Sequence, residues 1–389
     1  MAFETPTMTD PIQAARALHP RIKEAAPAIE RERKVPQDLV DELVRADLFH
    51  MLIPRDLGGI EIDPVTAAEA VEELAFSDAS VGWCVMLASQ STFFAGLLPK
   101  EDARLIWSNG GIMAGTARPI GRAVATNDPA DGYIISGRWP FASGSSHATW
   151  FMGECIVYDG DSPRKDAKGE NVTRAVFVPR DQVTIYDTWD TLGLRGTASN
   201  DFTIENVFVP QARGFQMLVD PPIDPGPLYK ASPLFFMNHG SHALGIARAG
   251  LDAAADIMKS KRGWGGVPLH EMARLQTTLA EATALVRSAR TYLYDSGREL
   301  WDAALTGPAD DKRMRANVRL AASHAAKASL QAVDLLHGAL ATAAIFTGNP
   351  LERHFRDIHT AVAHVMIGPL TFESAGRVEL GMEPNFPFF

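Results

Sequence analysis

Cysteine is scarce in this sequence, since Cys84 and Cys155 are the only two among 389 residues. Two isolated thiols form neither a disulfide framework nor a thiolate metal site, and they indicate a reducing, cytoplasmic environment. Positive charge is also in deficit, because the net charge at pH 7 is −10. Nucleic acids and anionic membrane surfaces attract basic faces, so we expect neither a nucleic-acid partner nor a membrane partner.

Long apolar runs are missing as well. No stretch approaches the ~20 apolar residues that a membrane helix needs. The first 23 residues carry Glu4 and Asp10 without a continuous apolar core, so we expect no signal peptide. The motifs H-E-x-x-H, G-x-G-x-x-G, G-x-x-x-x-G-K-[ST] and G-x-S-x-G do not occur either. Their absence argues against a metal site, a Rossmann or P-loop enzyme and a nucleophile-elbow hydrolase.

The sequence does contain three regions of different texture. From residue 11 to 107, apolar residues recur at helical spacing. Short β-rich runs, punctuated by glycine, proline and aspartate, follow from 112 to 209. After a proline-rich linker over 210–233, long alanine-rich stretches predict helices that pack as a bundle. We therefore predict a mostly α, α+β fold with a helical domain over 1–111, a β-domain over 112–225 and a helical bundle over 226–389.

Individual elements can be assigned within these regions. The predicted strands are Tyr133–Trp139, Trp150–Tyr158, Arg174–Val178 and Phe202–Val209. The predicted bundle helices are His242–Lys259, Leu269–Asp302 and Lys312–Leu340, followed by a last helix over Leu351–His364.

Several local patterns, in this order, resemble the acyl-CoA dehydrogenase superfamily. Ile53–Gly59 (IPRDLGG) looks like its N-terminal P-x-x-x-G-G turn, and Gly137–Gly144 (GRWPFASG) looks like its flavin-contacting strand. Residues 192–210 resemble the end of its β-domain, and Leu244–Ala249 (LGIARA) resembles the opening of its bundle. The resemblance implies a central β-barrel or sandwich, a C-terminal four-helix bundle, a bound flavin and a homotetramer with flavin sites near the subunit interfaces.

The segment from Arg356 to Val365 distinguishes two branches of that superfamily. Acyl-CoA dehydrogenases typically carry their catalytic glutamate nine residues after this arginine, and Val365 occupies that position here. A valine cannot abstract the proton that dehydrogenation requires. The pattern R-D-x-H with a second histidine, His359 and then His364, resembles instead the flavin-dependent monooxygenases. That branch includes the oxygenase components of 4-hydroxyphenylacetate hydroxylase and the steroid-ring hydroxylase, and dibenzothiophene monooxygenase.

The monooxygenase resemblance implies a two-component reaction. A separate NAD(P)H:flavin reductase supplies reduced FMN or FAD, O2 adds at flavin C4a, and the C4a-hydroperoxyflavin oxygenates a small organic substrate. We expect an aromatic or cyclic substrate. The absence of a nicotinamide-binding motif in this chain fits a separate reductase.

The flavin side of the expected site lies on the strand around Ser143. The Ser143 hydroxyl is the candidate for a hydrogen bond near flavin N5. Trp139, Phe141, Ala142 and Thr116 are the further candidates for flavin contacts. Strand alternation predicts that Trp139 and Phe141 share one face.

The substrate side is expected around a histidine that titrates in the required range. His364 is the first candidate and His359 the second. Trp83 and Ser91 are the candidates from the N-terminal domain. Phenol hydroxylases of this branch carry a histidine shortly after a Gly-Trp pair there, whereas Gly82-Trp83 is followed in this chain by Ser89, Gln90 and Ser91.

Arg262 and Trp264 lie in a KRGWGG segment that resembles the R-x-x-F-G stretch of dehydrogenases. That stretch contacts the cofactor diphosphate across a subunit interface, so both residues are candidates for the same contact. A simple helix stop is the alternative interpretation.

Plainer interpretations of the other candidates remain open. Ser143 can be a turn residue, His364 a core histidine, and Arg356 the partner of an acid at a helix interface. His147 follows Ser143 closely and is a further site candidate. Two other functions are also open: an FAD-dependent acyl-CoA dehydrogenase with a displaced base, and a catalytically inactive member that uses the fold for binding or assembly.

Overall fold

The structure is a computed structural model that describes residues 10–108, 110–126, 131–223 and 226–389. Helices at both ends of the chain flank a β-sheet, which confirms the predicted order of textures. The N-terminal helices are α1 (Pro11–Ala17), α2 (His19–Glu32), α3 (Gln37–Arg45), α4 (Pro64–Ser77), α5 (Ala79–Ser91) and α6 (Lys100–Trp107).

A single aspartate sets the angle between the two most buried helices of the N-terminal region. Asp78 ends α4, and its carboxylate accepts hydrogen bonds from the backbone N–H groups of Ser80 and Val81 at the start of α5. Such a cap satisfies N–H groups that have no partner inside the helix. Helix α5 therefore begins directly after α4 and carries Trp83 into the protein interior.

The β-region forms one mixed sheet. Its strands are β1 (Met113–Ala125), β2 (Gly132–Ala142), β3 (Trp150–Asp159), β4 (Ser162–Pro163), β5 (Thr173–Pro179), β6 (Thr184–Tyr186), β7 (Asn200–Pro210) and β8 (Gly214–Phe215). The strand order is β6-β7-β2-β1-β3-β5-β8, with β4 paired to β3. The four predicted strands are all present. Strand β1 was not predicted. Its pairing with β3 shifts between Thr116 and Gly121, which interrupts the alternation of apolar and polar residues.

A second irregularity overturns one expectation about β2. Trp139 is 0% exposed and stacks on Phe202 inside the sheet core, whereas Phe141 is 52% exposed. The pairing of β2 with β7 shifts between Trp139 and Ala142, and Phe141 adopts a left-handed φ of 67°. The prediction that Trp139 and Phe141 share a face is therefore wrong, because the strand is not regular there.

The C-terminal region is the predicted bundle. After the short helix α7 (Pro227–Lys230) come α8 (Leu234–Ser260), α9 (Ala273–Thr306), α10 (Lys312–Leu340), α11 (Pro350–Ala361) and α12 (Pro369–Glu379). Helix α8 begins at Leu234, directly after the predicted linker and eight residues before the predicted helix start at His242. Helix α11 ends at Ala361, which leaves His364 in the turn that follows. Helix α12 was not predicted.

The first and last helical regions share one hydrophobic core, while the sheet has a core of its own. Within the described ranges, no helix is long and apolar enough to cross a bilayer. The candidate site lies where α5, α8, the end of β2 and the turn after α11 meet.

Candidate functional site

Ser143 is placed by the turn that follows β2. Gly144 adopts a φ of 79°, in the region that favours glycine, and its N–H donates to the carbonyl of Thr197 at 2.8 Å. The Ser143 Oγ accepts a hydrogen bond from the Trp83 indole Nε1 at 3.1 Å and lies 2.6 Å from the Ser199 Oγ. This turn therefore joins the sheet directly to helix α5.

Trp83 is the centre of a cluster of aromatic rings. Its ring makes edge contacts with three histidines, with centroid distances of 5.7 Å to His239, 5.1 Å to His242 and 5.7 Å to His364. The rings of His239 and His364 lie 4.5 Å apart. The structure thus brings together three predicted site residues, Ser143, Trp83 and His364, and adds two histidines that were not predicted.

Burial keeps these histidines neutral. It is the main cause that lowers the pKa of His364 to about 4, and the charge of Arg319 lowers it further. Burial also lowers the pKa of His242 to about 4 and that of His239 well below its ordinary value. The expectation that His364 titrates near the ordinary histidine range is therefore wrong, since this group is uncharged at pH 7.

The neutral histidines act through specific ring nitrogens. The His364 Nδ1 accepts from the Met366 backbone N–H at 3.4 Å, which favours the tautomer with a proton on Nε2. The His239 Nδ1 lies 3.4 Å from the Gln90 amide nitrogen and can accept from it, in the tautomer that carries the proton on Nε2. In these tautomers both side chains present an N–H donor, and His364 is suited to polarising a substrate oxygen.

His359 lies outside this cluster. Its Nε2 pairs with the Asp334 carboxylate at 2.9 Å, and its ring packs on Phe355. Arg356 pairs with Glu30 of α2 at 2.7 Å, which agrees with the structural interpretation of that arginine. The choice of His364 over His359 as the site residue stays a prediction, now supported by the contact with Trp83.

Among the candidates for flavin contacts on β1 and β2, two side chains are exposed or partly exposed and two are buried. Phe141 is exposed and meets the Trp189 ring at 6.2 Å, and Thr116 is partly buried at the break in β1. The side chains of Trp139 and Ala142 are completely buried. A fully buried side chain offers no surface to a flavin, so Trp139, whose indole donates to the carbonyl of Glu154, serves the sheet core.

The remaining candidates contact residues other than Trp83 and its three histidines. The Ser91 hydroxyl donates to the carbonyl of Ala88 in its own helix, so its proton is already used. Arg262 donates to the carbonyl of Gly266 at 2.7 Å, within its own loop. Trp264 at the tip of that loop is fully exposed. His147 is buried beside Phe49, and burial lowers its pKa to about 4.

Sequence reasoning missed His239, His242, Ser199 and Arg319. The two histidines had a usable signal, because residues three apart on a helix share a face. Ser199 had none, since its contact with Ser143 spans 56 residues and depends on how β7 pairs with β2.

The turn after β2 fits a reduced flavin. A serine hydroxyl supports three hydrogen bonds, and Trp83 and Ser199 use two of those of Ser143. A chain of hydroxyls continues from Ser199 to Thr197, 2.7 Å away, and ends where Thr197 donates to the carbonyl of Leu194. The remaining position on Ser143 can therefore accept an N–H such as that at N5 of a reduced flavin.

The chain matches family models and known monooxygenases along most of its length. The acyl-CoA dehydrogenase N-terminal domain matches residues 13–98, and the C-terminal domain of the same family matches residues 237–369. Indole-3-acetate monooxygenase of Pseudomonas putida is 30% identical to this chain, and the match covers 91% of this chain and 90% of the relative. The oxygenase component of FADH2-dependent resorcinol hydroxylase of a Rhizobium species is 29% identical, covering 93% and 92%.

Solved structures share the fold along almost the whole chain. The 3-HSA hydroxylase of Rhodococcus sp. RHA1 superimposes with a TM-score of 0.89 at 23% identity, covering 98% of this chain and 99% of that chain. XiaF of a Streptomyces species, in complex with FADH2 and glycerol, gives 0.89 at 23% identity and covers 98% of both chains.

Proposed function

Because the chain belongs to the acyl-CoA dehydrogenase superfamily, as an oxidoreductase of its flavin-dependent monooxygenase branch, we propose that it is the oxygenase component of a two-component system. A separate NAD(P)H:flavin reductase would supply reduced FMN or FAD. The reduced flavin would activate O2 as a C4a-hydroperoxyflavin. The observation that carries the proposal is the contact of Trp83 with both Ser143 and His364. Trp83 thereby connects the end of β2, which resembles a flavin-contacting strand, to the turn after α11. In that turn His364 precedes Val365, which occupies the position of the dehydrogenase glutamate.

Each residue of this constellation has a separate task. Ser143 accepts a hydrogen bond from the flavin and orients its ring. His364 donates from Nε2 to an oxygen or other acceptor on the substrate and so draws electron density toward it. Trp83 supplies an apolar wall, and its burial keeps water from the reacting atoms.

The lining of the cluster favours an aromatic or cyclic substrate. Trp83, Phe236 and three neutral histidines present flat rings and few charges. Rings of this kind stack on aromatic ligands in offset or edge geometry. One relative is named for its action on indole-3-acetate, which is an aromatic compound.

A homotetramer is the proposed assembly. Trp264 and Phe346 are large exposed aromatics of the C-terminal region, and Leu380 is exposed as well. Exposed apolar surface of this kind marks protein contacts. Light scattering should give a mass about four times the 42.2 kDa of one chain. A mass of one chain would contradict the assembly, and with it a flavin contact by Arg262 and Trp264 across an interface.

Stopped-flow absorbance tests the proposed function directly. Enzyme loaded with reduced FMN or FAD is mixed with O2, and the C4a-adduct should accumulate before oxidised flavin returns. A parallel anaerobic experiment exposes enzyme with oxidised FAD to a panel of acyl-CoAs, which should leave the flavin oxidised. Bleaching by any acyl-CoA, or direct return of oxidised flavin without the adduct, would contradict the proposal.

A further inference from the structure

Arg319 in α10 is a buried charge that pairs with no acidic side chain in the described part of the chain. Its side chain is fully buried, and none of its three guanidinium nitrogens has a hydrogen-bond acceptor among the residues that the structure describes. Burial lowers the pKa of Arg319 only to about 9, so the group remains charged at pH 7. An unpaired buried charge is costly and needs an explanation.

The surroundings of Arg319 provide two aromatic rings but no hydrogen-bond acceptor among the residues described. The guanidinium carbon lies 4.4 Å from the ring centroid of Phe236 and 5.4 Å from that of Phe389. Aromatic rings stabilise a nearby cation through their faces, but they leave the N–H bonds in the guanidinium plane without acceptors. Arg315, one turn earlier, is satisfied by contrast, since it donates to the backbone oxygens of Lys230 and Phe389 and to the Ser232 hydroxyl. The in-plane donors of Arg319 match the two oxygens of a carboxylate.

Arg319 adjoins the candidate site. Its charge contributes to the lowered pKa of both His364 and His239, and Phe236, which stacks on it, lies 6.2 Å from the His239 ring. The His239 Nε2 is buried and has no partner among the described residues either. Two acceptors nearby in sequence, the Asn238 Oδ1 and the His242 Nδ1, are likewise unpartnered within the described ranges. The donors nevertheless predominate, because the guanidinium alone brings three nitrogens against these two acceptors.

We propose that Arg319 binds the carboxylate of an aromatic acid substrate, with His239 donating a further hydrogen bond to it. The inference rests on the proposed function and names its substrate class. The acid end lies at Arg319 and the ring lies toward Trp83 and His364, so that one end of the substrate is held while the other faces Ser143 and the flavin. An anion could also come from a flavin phosphate, and the experiment separates the two.

The test measures equilibrium binding of aromatic acids and their neutral amides. Indole-3-acetate, phenylacetate and benzoate are each paired with the corresponding amide and titrated by calorimetry without flavin. Wild type should bind at least one acid more tightly than its amide. In Arg319→Met, that acid should bind roughly 10- to 150-fold more weakly, as expected for a lost charge-assisted hydrogen bond, while the amide is unaffected. Lys327→Met removes an exposed positive charge from the same helix and should behave as wild type.

Thermal unfolding separates a binding role from a structural one. Arg319→Met removes an unpaired buried charge, so its Tm without ligand should stay the same or rise. A lower Tm, combined with equal losses for acid and amide, would show that the arginine only supports packing and would overturn the proposal. So would the absence of any preference for an acid in wild type.

Titration with reduced FMN completes the design. Its affinity should be equal in wild type and Arg319→Met, whereas weaker FMN binding with unchanged acid binding would assign the anion to the flavin phosphate and refute the inference. The two proposals fail separately. Formation of the C4a-adduct without acid preference removes only the carboxylate site, and acid preference without the adduct removes only the proposed function.

Discussion

Two fully buried charges in the helical core, Glu72 and Arg319, differ in their hydrogen-bond partners. Glu72 of α4 accepts hydrogen bonds from Arg248 at 2.6 Å, Arg290 at 2.9 Å and the Tyr294 hydroxyl at 2.6 Å. Arg319 of α10 has stacked rings but no acceptor in the described part of the chain. Where a buried charge serves the fold, the fold supplies its partners. A buried charge whose hydrogen-bond partners are incomplete therefore marks the place where a ligand is needed.

The same contrast separates two histidines five residues apart. His359 is paired with Asp334 on a half-exposed face, whereas His364 has one long backbone contact and otherwise faces aromatic rings. His359 thus belongs with Glu72 among the satisfied groups, and His364 belongs with Arg319. The predictions below test this division.

The largest effect is expected at His364. His364→Ala should slow oxygen transfer to substrate by about 10²–10⁴-fold, because the donor that polarises the substrate is lost. Flavin oxidation should continue, so H2O2 should replace product. Product and H2O2 are measured together under single turnover, and His359→Ala is the matched control with unchanged coupling. If the His359 variant loses coupling and the His364 variant does not, the division is reversed.

At Glu72 the effect should appear in stability. Glu72→Gln should lower the free energy of unfolding by about 2–4 kcal/mol, because two arginines lose their buried partner. The lower end of that range reflects the partial exposure of both arginines. Glu69→Gln, which breaks a more exposed pair with Arg298, should cost less than about 1 kcal/mol. Urea unfolding of both variants gives the comparison, and equal losses would contradict it.

A smaller effect is expected at Ser143. Ser143→Ala removes the hydrogen bond proposed for the flavin, worth about 1–3 kcal/mol, so uncoupled H2O2 release should be roughly 5- to 150-fold faster. Substrate binding should not change. Ser146→Ala, in the same turn, is the control, because the Ser146 hydroxyl contacts only His147 among the residues described. Equal coupling in wild type and Ser143→Ala would place the flavin elsewhere.

The smallest effect concerns pH. Because burial and Arg319 lower the pKa of His364 to about 4, its neutral form is fully populated above about pH 5 and is lost only as the pH falls toward 4. The rate of oxygen transfer, measured by rapid quench, should therefore show no step near pH 6.5 that disappears in His364→Ala. Such a step would mean that His364 is exposed to solvent or paired with an acid.

The helices and strands could largely be predicted, because apolar spacing and turn residues are local signals. Helix α10 matches its predicted bounds. The errors lie where neighbouring chain segments decide the outcome: β1 and β2 are irregular because of their pairing, and α8 begins early because Phe235 and Met237 are buried in the shared core. Ser143 and His364 could be named, but their connection through Trp83 could not.

The sequence by itself determined the order of regions and the absence of a glutamate at Val365, and it named two candidate site residues. These properties depend on residue types at short spacings along the chain. Only the tertiary structure decided that Trp83 lies between Ser143 and His364, that His359 is paired elsewhere, and that Arg319 has no hydrogen-bond partner among the residues described. Each of these depends on burial and on contacts between residues far apart in the chain. A group's surroundings, which set its pKa and its free hydrogen bonds, exist only after packing.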